Sequence, residues 1–309
     1  MLNLAVTELL CEVAEDVPEL KVFGIAAAAT HVSALRDQTI VVKYGGNAMT
    51  DETLQQQFAY DVALLKAMGI NVVVVHGGGP QIDAMLQRVG KQGEFIQGMR
   101  VTDAETMTIV EGVLAGNVQG QVVGLINHAG HAYGVRAVGI SGRDGRMVKV
   151  KKLLLTDLKD ASVQHDIGQV GDVVAVDTAA IDALLAADFI PVISPISTDE
   201  NNVMYNVNAD VVASEIACAL KAAKLMLLTN IKGVLDKQGD LIVELNSSSI
   251  QTLVDDGTLY GGMLPKIASA LDAAQRGVAA VHITDGRVAH GLLLALLSNA
   301  AVGTQITSE

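Results

Sequence analysis

The chain has 309 residues, with 21 Lys and Arg against 34 Asp and Glu, so its formal net charge is −13; 50% of it is hydrophobic but only 3% is aromatic. So acidic a balance excludes nucleic acid and anionic membrane as partners, because both call for basic surface. The length allows two domains or one large α/β unit, and two cysteines, Cys11 and Cys218, rule out a disulfide framework and point to a reduced, cytoplasmic setting.

No uncharged run is expected to be long enough to cross a bilayer. The Ala-rich stretch 23–34 is not read as a signal, since Glu8, Glu12, Glu15, Asp16 and Glu19 precede it where a leader is positive. Residues 1–38 lack strand–helix order and read as a helical extension. Thr39 to Lys43 (TIVVK) then predicts a strand running into Gly45-Gly46. A helix is predicted over 51–68, where Leu54, Phe58, Val62, Leu65 and Met68 recur three or four apart. Asn71 to His76 (NVVVVH) predicts a second strand running into Gly77-Gly78-Gly79, and Pro80 opens the next helix at a favoured position. Uninterrupted valines mark strands covered on both faces, as in a parallel sheet. Strand, glycine turn and helix, twice over, is the order of an open α/β sheet.

Residues 102–130 read as helical, and 134–141, 147–153 and 172–176 as strands between glycine-rich turns. The segment 190–196 (IPVISPI), with two prolines, reads as a strand breaking into a loop. Strand–helix order returns with a helix over 209–223, a strand over 225–229 and a hairpin strand over 241–245. A helix over 264–277, a strand over 281–284 and a last helix from His290 complete the chain.

Each glycine turn, placed between a strand and a helix N-terminus, suits an anion, above all phosphate; each alone is also an ordinary tight turn. Two in one sheet would bring their ligands to the same edge. Neither GxxxxGK[ST] nor GxGxxG occurs, nor do the HRD and DFG motifs of protein kinases or a GxSxG elbow. Lys43, on an apolar strand, either reaches water or points into a site and meets a carboxylate. Lys266 opens a helix, where a cation opposes the dipole unless an anion is near. In Asn206-Val207-Asn208-Ala209-Asp210, Asn208 or Asp210 is a plain N-cap or part of a ligand site. Arg100 is either surface or a fork for a carboxylate. His76 is expected to hydrogen-bond at its strand end. His128 and His131, three apart, gather no Cys or further His, so no zinc site is expected.

In chain order, VKYGGNAM (42–49), VVVVHGGGPQI (72–82), GMRVTDAET (98–106), NVNAD (206–210), KLMLLTNIKGVLD (224–236), YGGMLPKI (260–267) and HITDGRV (282–288) make the sequence similar to the amino-acid kinase family, in its branch acting on N-acetyl-L-glutamate. The resemblance implies a three-layer α/β/α sandwich around a largely parallel open sheet, behind an N-terminal extension (1–38). Residues 39–195 would bind the phosphoryl acceptor and 196–309 the nucleotide. It implies ATP, carried with Mg²⁺ and without a protein-bound metal, phosphorylating the side-chain carboxylate of N-acetyl-L-glutamate in arginine biosynthesis. Lys43 and Lys266 would stabilise the phosphoryl group and Asp210 would position both. Gly78, Gly79, Arg100, Asn206 and Asn208 would hold the acid. Gly45, Gly46, Thr229, Asn230, Gly233, Val234, Leu235, Tyr260 and Met263 would bind phosphate and ATP. A homo-oligomer, dimer or hexamer, is also implied. Residues 30–36 and Ala295 depart from the pattern of arginine-inhibited members, so the resemblance does not carry inhibition by arginine over to this chain. The alternatives are a kinase for an α-aminoadipate derivative and a catalytically silent member.

Overall fold

The computed structural model describes residues 25–157, 160, 162–259, 263–298 and 302–309. After α1 (Ile25–Leu35), the chain forms β1 (Thr39–Tyr44), α2 (Glu52–Ala67), β2 (Asn71–His76) and α3 (Gly79–Arg88). A short hairpin, β3 (Phe95–Ile96) and β4 (Met99–Arg100), leads to α4 (Ala104–Glu111) and α5 (Gln119–Gly130). Next come β5 (Arg136–Ser141), β6 (Val148–Thr156), β7 (Gln164–Val176), α6 (Ala179–Ala186), β8 (Phe189–Ser194), β9 (Ile196–Thr198) and β10 (Met204–Val207). The remainder is α7 (Ala209–Leu220), β11 (Lys224–Thr229), β12 (Val234–Leu235), β13 (Leu241–Ile242), β14 (Glu244–Leu245), α8 (Ser247–Asp255), α9 (Met263–Gln275), β15 (Val281–Asp285), α10 (Gly291–Leu297) and β16 (Thr304–Ile306).

One eight-stranded sheet runs in the order β14-β16-β15-β11-β1-β2-β8-β5, and every neighbouring pair is parallel except β15 with β16. Alternate residues of a strand face opposite sides, and the valine runs of β1 and β2 feed two cores in this way. Ile40, Val42, Val72 and Val74 pack under α2, α4, α5 and α10. Val41, Val73 and Val75 pack under α7 and α9. The fold is the expected three-layer sandwich.

Several elements differ from the sequence reading. β7 is far longer than 172–176 and pairs with β6; with β9 and β10 they close a small four-stranded ring beside the sheet. Residues 241–245 split, β13 pairing with β12 and β14 joining the edge of the main sheet through β16. Pro191 does not break β8: it lies opposite Val138 of β5, before the ladder with β2 begins at Val192, so its missing N–H removes no bond to β2. Only Pro195 interrupts.

Residues 104–133 form one 30-residue helical run, long and apolar enough by length and composition to cross a membrane, which corrects the expectation that no such stretch exists. A π-helical segment, Gly112–Val118, joins α4 to α5. Here the run packs Val110, Leu114, Val118, Val122 and Ile126 into the core. Gln119, buried, donates to the Ile140 and Val192 carbonyls at 2.6 and 3.1 Å.

Candidate active site

Because the inner strands are parallel, β1, β2, β8, β11 and β15 all end at the same edge, and both glycine turns lie there. β1 and β2 are in register to their last residues, Tyr44 opposite His76, and the Gly77 N–H donates to the Tyr44 carbonyl at 2.8 Å. The turn after β1 enters a short 3-10 helix (Gly46–Met49). The turn after β2 enters α3, with Pro80 in its first turn.

Strand parity assembles a charged trio at this edge. Lys43 follows Val41 on the face covered by α7 and α9, and it meets Asp210 in the first turn of α7. Lys266, in the first turn of α9, meets the same carboxylate. Lys43 Nζ is 3.0 Å from Asp210 Oδ1, and Lys266 Nζ is 3.4 Å from Oδ2. Lys43 is well covered, its side chain 13% exposed, whereas that of Lys266 is 41% exposed. The Lys43 approach is charge to charge rather than an aligned hydrogen bond, and Oδ1 has no hydrogen-bond donor. Burial pushes the Asp210 carboxyl up, but the charges of Lys43 and then Lys266 outweigh it and hold the pKa below the usual value. The aspartate is therefore an anion holding two ammonium groups together against their repulsion.

Beside the trio lies a cleft of about 300 Å³ lined by Gly78, Gly79, Arg100, Asn206 and Asn208, together with Phe95 and Asp172. Every residue expected to hold the acid thus borders one cavity. Arg100 is buried; its Nη1 donates to Asp83 Oδ1 at 2.7 Å, and its guanidinium stacks 4.6 Å from the Phe95 ring centre. Asn206 Nδ2 reaches Thr102 Oγ1 at 3.4 Å. Asn208 caps α7, its Oδ1 accepting the Asp210 N–H at 2.8 Å, so its N-cap reading holds.

The residues expected around ATP are less closely grouped. Asn230 Oδ1 accepts the Asn47 N–H at 2.9 Å, joining the end of β11 to the first glycine turn, and Arg287 Nη2 donates to the Asn230 carbonyl at 2.9 Å. Thr229 Oγ1 reaches the Ile231 carbonyl at 3.3 Å. Gly233 and Val234 instead meet Thr304 of β16: the Val234 N–H donates to Thr304 Oγ1 at 2.8 Å, and the Val234 side chain is buried. Leu235 is exposed and Met263, the first residue of α9, is half-buried. Tyr260 lies outside the described residues.

Sequence reasoning missed Asp83 and Phe95 as the partners of Arg100, and Asn47 and Arg287 as the partners of Asn230. Asp83 had a signal: it follows Pro80 within the first turns of α3, where a carboxylate beside a glycine turn invites an arginine. His76 does hydrogen-bond at its strand end, its Nδ1 2.8 Å from the Gly77 carbonyl oxygen. Among the described residues no group of three His, Cys, Asp or Glu stands ready to hold a metal ion.

Residues 38–285 match the model of the amino acid kinase family. The chain is 59% identical to the acetylglutamate kinase of Verminephrobacter eiseniae, over 92% of this chain and 95% of that one. It is 57% identical to the acetylglutamate kinase of Albidiferax ferrireducens, over 96% and 99%. Among solved structures, an N-acetylglutamate synthase from Neisseria gonorrhoeae, complexed with coenzyme A and L-arginine, superposes with a TM-score of 0.76 at 25% identity. That match covers 93% of this chain and 65% of the synthase. A carbamate kinase from Giardia lamblia bound to AMP-PNP shares the fold, with a TM-score of 0.61 at 20% identity over 88% of this chain and 99% of that one.

Proposed function

The chain belongs to the amino acid kinase family and phosphorylates N-acetyl-L-glutamate with ATP in arginine biosynthesis, and we propose that Lys43, Asp210 and Lys266 carry the chemistry. The observation behind that assignment is the single carboxylate of Asp210 gripping both ammonium groups beside the cleft.

The acceptor is a carboxylate, already ionised and nucleophilic, so the reaction needs no general base. Its obstacle is bringing two anions together and stabilising charge on the γ-phosphoryl group. A net charge of −13 gives a repulsive long-range field, so cations and N–H dipoles at contact distance must overcome it. In our reading Arg100, fixed by Asp83 and Phe95, takes the α-carboxylate, and Asn206 takes the acetamido group. Besides lining the acid site, Gly78 and Gly79 offer backbone N–H groups to the phosphate oxygens, as does Gly46 in the first turn. Lys43 and Lys266 neutralise the transferring phosphoryl, giving N-acetyl-L-glutamyl 5-phosphate and ADP. Mg²⁺ enters on ATP as part of the substrate. Asn208 acts as the cap that fixes the Asp210 peptide. Thr229, Asn230, Gly233 to Leu235, Met263 and Tyr260 form the nucleotide side, with Gly45 and Gly46 beside the phosphates.

The same reading divides the labour between residues 39–195 for the acid and 196–309 for ATP, with Asn206 and Asn208 reaching across from the second stretch. It also includes a homo-oligomer, dimer or hexamer, with residues 1–38 as an extension, in the cytoplasm. An ADP-release assay with N-acetyl-L-glutamate and with N-acetyl-α-aminoadipate, each with and without arginine, tests it. Turnover of the glutamate derivative is expected, and the arginine arm reads whether that effector acts on it. Turnover of only the longer acid, or of neither, contradicts it.

A further inference from the structure

His76 ends β2 directly before the second glycine turn and is fully buried, yet the scheme above gives it no part. Its Nδ1 is 2.8 Å from the Gly77 carbonyl oxygen. A carbonyl only accepts, so Nδ1 carries the hydrogen. Burial pushes the imidazole pKa down to about 4, against the opposing effect of the Gly77 bond, so the ring is neutral and Nε2 is bare. Nε2 has no hydrogen-bond partner. An orphaned buried nitrogen is unfavourable and calls for an explanation, and the bond at Nδ1 supplies one.

That bond fixes a peptide plane. The Gly77 N–H is held by the Tyr44 carbonyl and the Gly77 C=O by His76, so both polar groups of Gly77 are tied to the strands. In a planar trans peptide the C=O and the following N–H point in opposite directions. Tying down the Gly77 carbonyl therefore aims the Gly78 N–H away from the ring, and Gly77 to Gly79 line the cleft. We infer that His76 is a positioning residue: through Nδ1–H it locks the Gly77–Gly78 peptide so that the Gly78 N–H stays aimed at the oxygens that gain charge during phosphoryl transfer. The inference rests on the proposed role of the Gly78 N–H. The opposite tautomer would set a ring lone pair against the carbonyl oxygen and release the peptide to turn.

Two measurements test this. In wild-type enzyme labelled with ¹⁵N-histidine, the N–H coupling of His76 at pH 7 is expected on Nδ1 and absent from Nε2; a proton on Nε2 overturns the inference even if turnover is normal. In kinetics, His76→Leu is expected to lower kcat by about tenfold or more while KM for ATP stays within about twofold. His76→Asn, which restores a short N–H donor, is expected to recover most of the loss. A folded His76→Leu enzyme with wild-type kcat, or a His76→Asn enzyme no better than His76→Leu, overturns it. Failure of the wild type to phosphorylate N-acetyl-L-glutamate would instead defeat the functional assignment, and the tautomer would still decide the role of His76.

Discussion

The turns after β1 and β2 are near twins in sequence, each a buried strand running through glycines into a helix, but glycine serves different ends in them. A Cβ on Gly45 would sit 2.6 Å from Lys43 Nζ, and one on Gly46, whose φ is +74°, would sit 2.5 Å from Asn230 Oδ1. The first turn is thus kept bare so that a cation and an amide can come close. A Cβ on Gly78 would lie 2.5 Å from Leu114 Cδ2, a core contact, whereas one on Gly79 would meet nothing within 4 Å. The second turn is kept bare for packing on one side and for an open cleft on the other. A glycine pattern therefore marks a close approach without telling what approaches.

Substitutions can break this contrast. The largest effect is expected from Lys43→Met or Lys266→Met, each lowering kcat by roughly two to three orders of magnitude through loss of one preorganised charge. Steady-state kinetics with N-acetyl-L-glutamate checks this, and unchanged turnover removes the lysine from the scheme. Gly45→Ala should act on the same cation indirectly. By displacing the Lys43 ammonium it is expected to lower kcat by about ten- to a hundredfold with little change in Tm. An equal kinetic loss in Gly79→Ala would erase the difference between the turns.

Gly78→Ala is expected to show the opposite signature, a stability loss of about 1–3 kcal/mol from overpacking against Leu114. Denaturant melts should show partial recovery when Leu114→Ala is added to Gly78→Ala, and none if the strain lies elsewhere. The smallest effect is expected from Arg100→Lys, which loses the planar fork but keeps the charge. KM for the acid should rise about tenfold, with kcat and KM for ATP nearly constant. A rise confined to KM for ATP would move Arg100 out of the acid site.

The contrast also explains what could be read in the sequence. The strands of the central sheet announce themselves because burial on both faces demands runs such as VVVV, and a run of that kind has few other uses. Lys43 and Lys266 were conspicuous because each sits where a cation is unfavourable without an anion, and Asp210 supplies that anion. The ring of β6, β7, β9 and β10 was largely illegible. Along β7 buried and exposed residues follow no regular period, and Gly168 turns through φ +81° to meet the Thr102 carbonyl. α6 and α8 were missed, and each buries only one residue, Ile181 and Ile250 respectively. Arg287 acts through Asn230, far away in sequence, so spacing carries no trace of it, and the pairing of Phe95 with Arg100 depends on a two-residue hairpin too short to show a period.

The central claim is that one carboxylate holds two ammonium groups in place for the phosphoryl group in transfer. Its most direct test is the kcat for ADP release from ATP and N-acetyl-L-glutamate by Asp210→Asn beside the wild type. The amide keeps the shape of the side chain but leaves Lys43 and Lys266 to repel each other. A fall in kcat of about a hundredfold or more, in a protein that stays folded, is predicted; a kcat within about twofold of wild type would contradict the account.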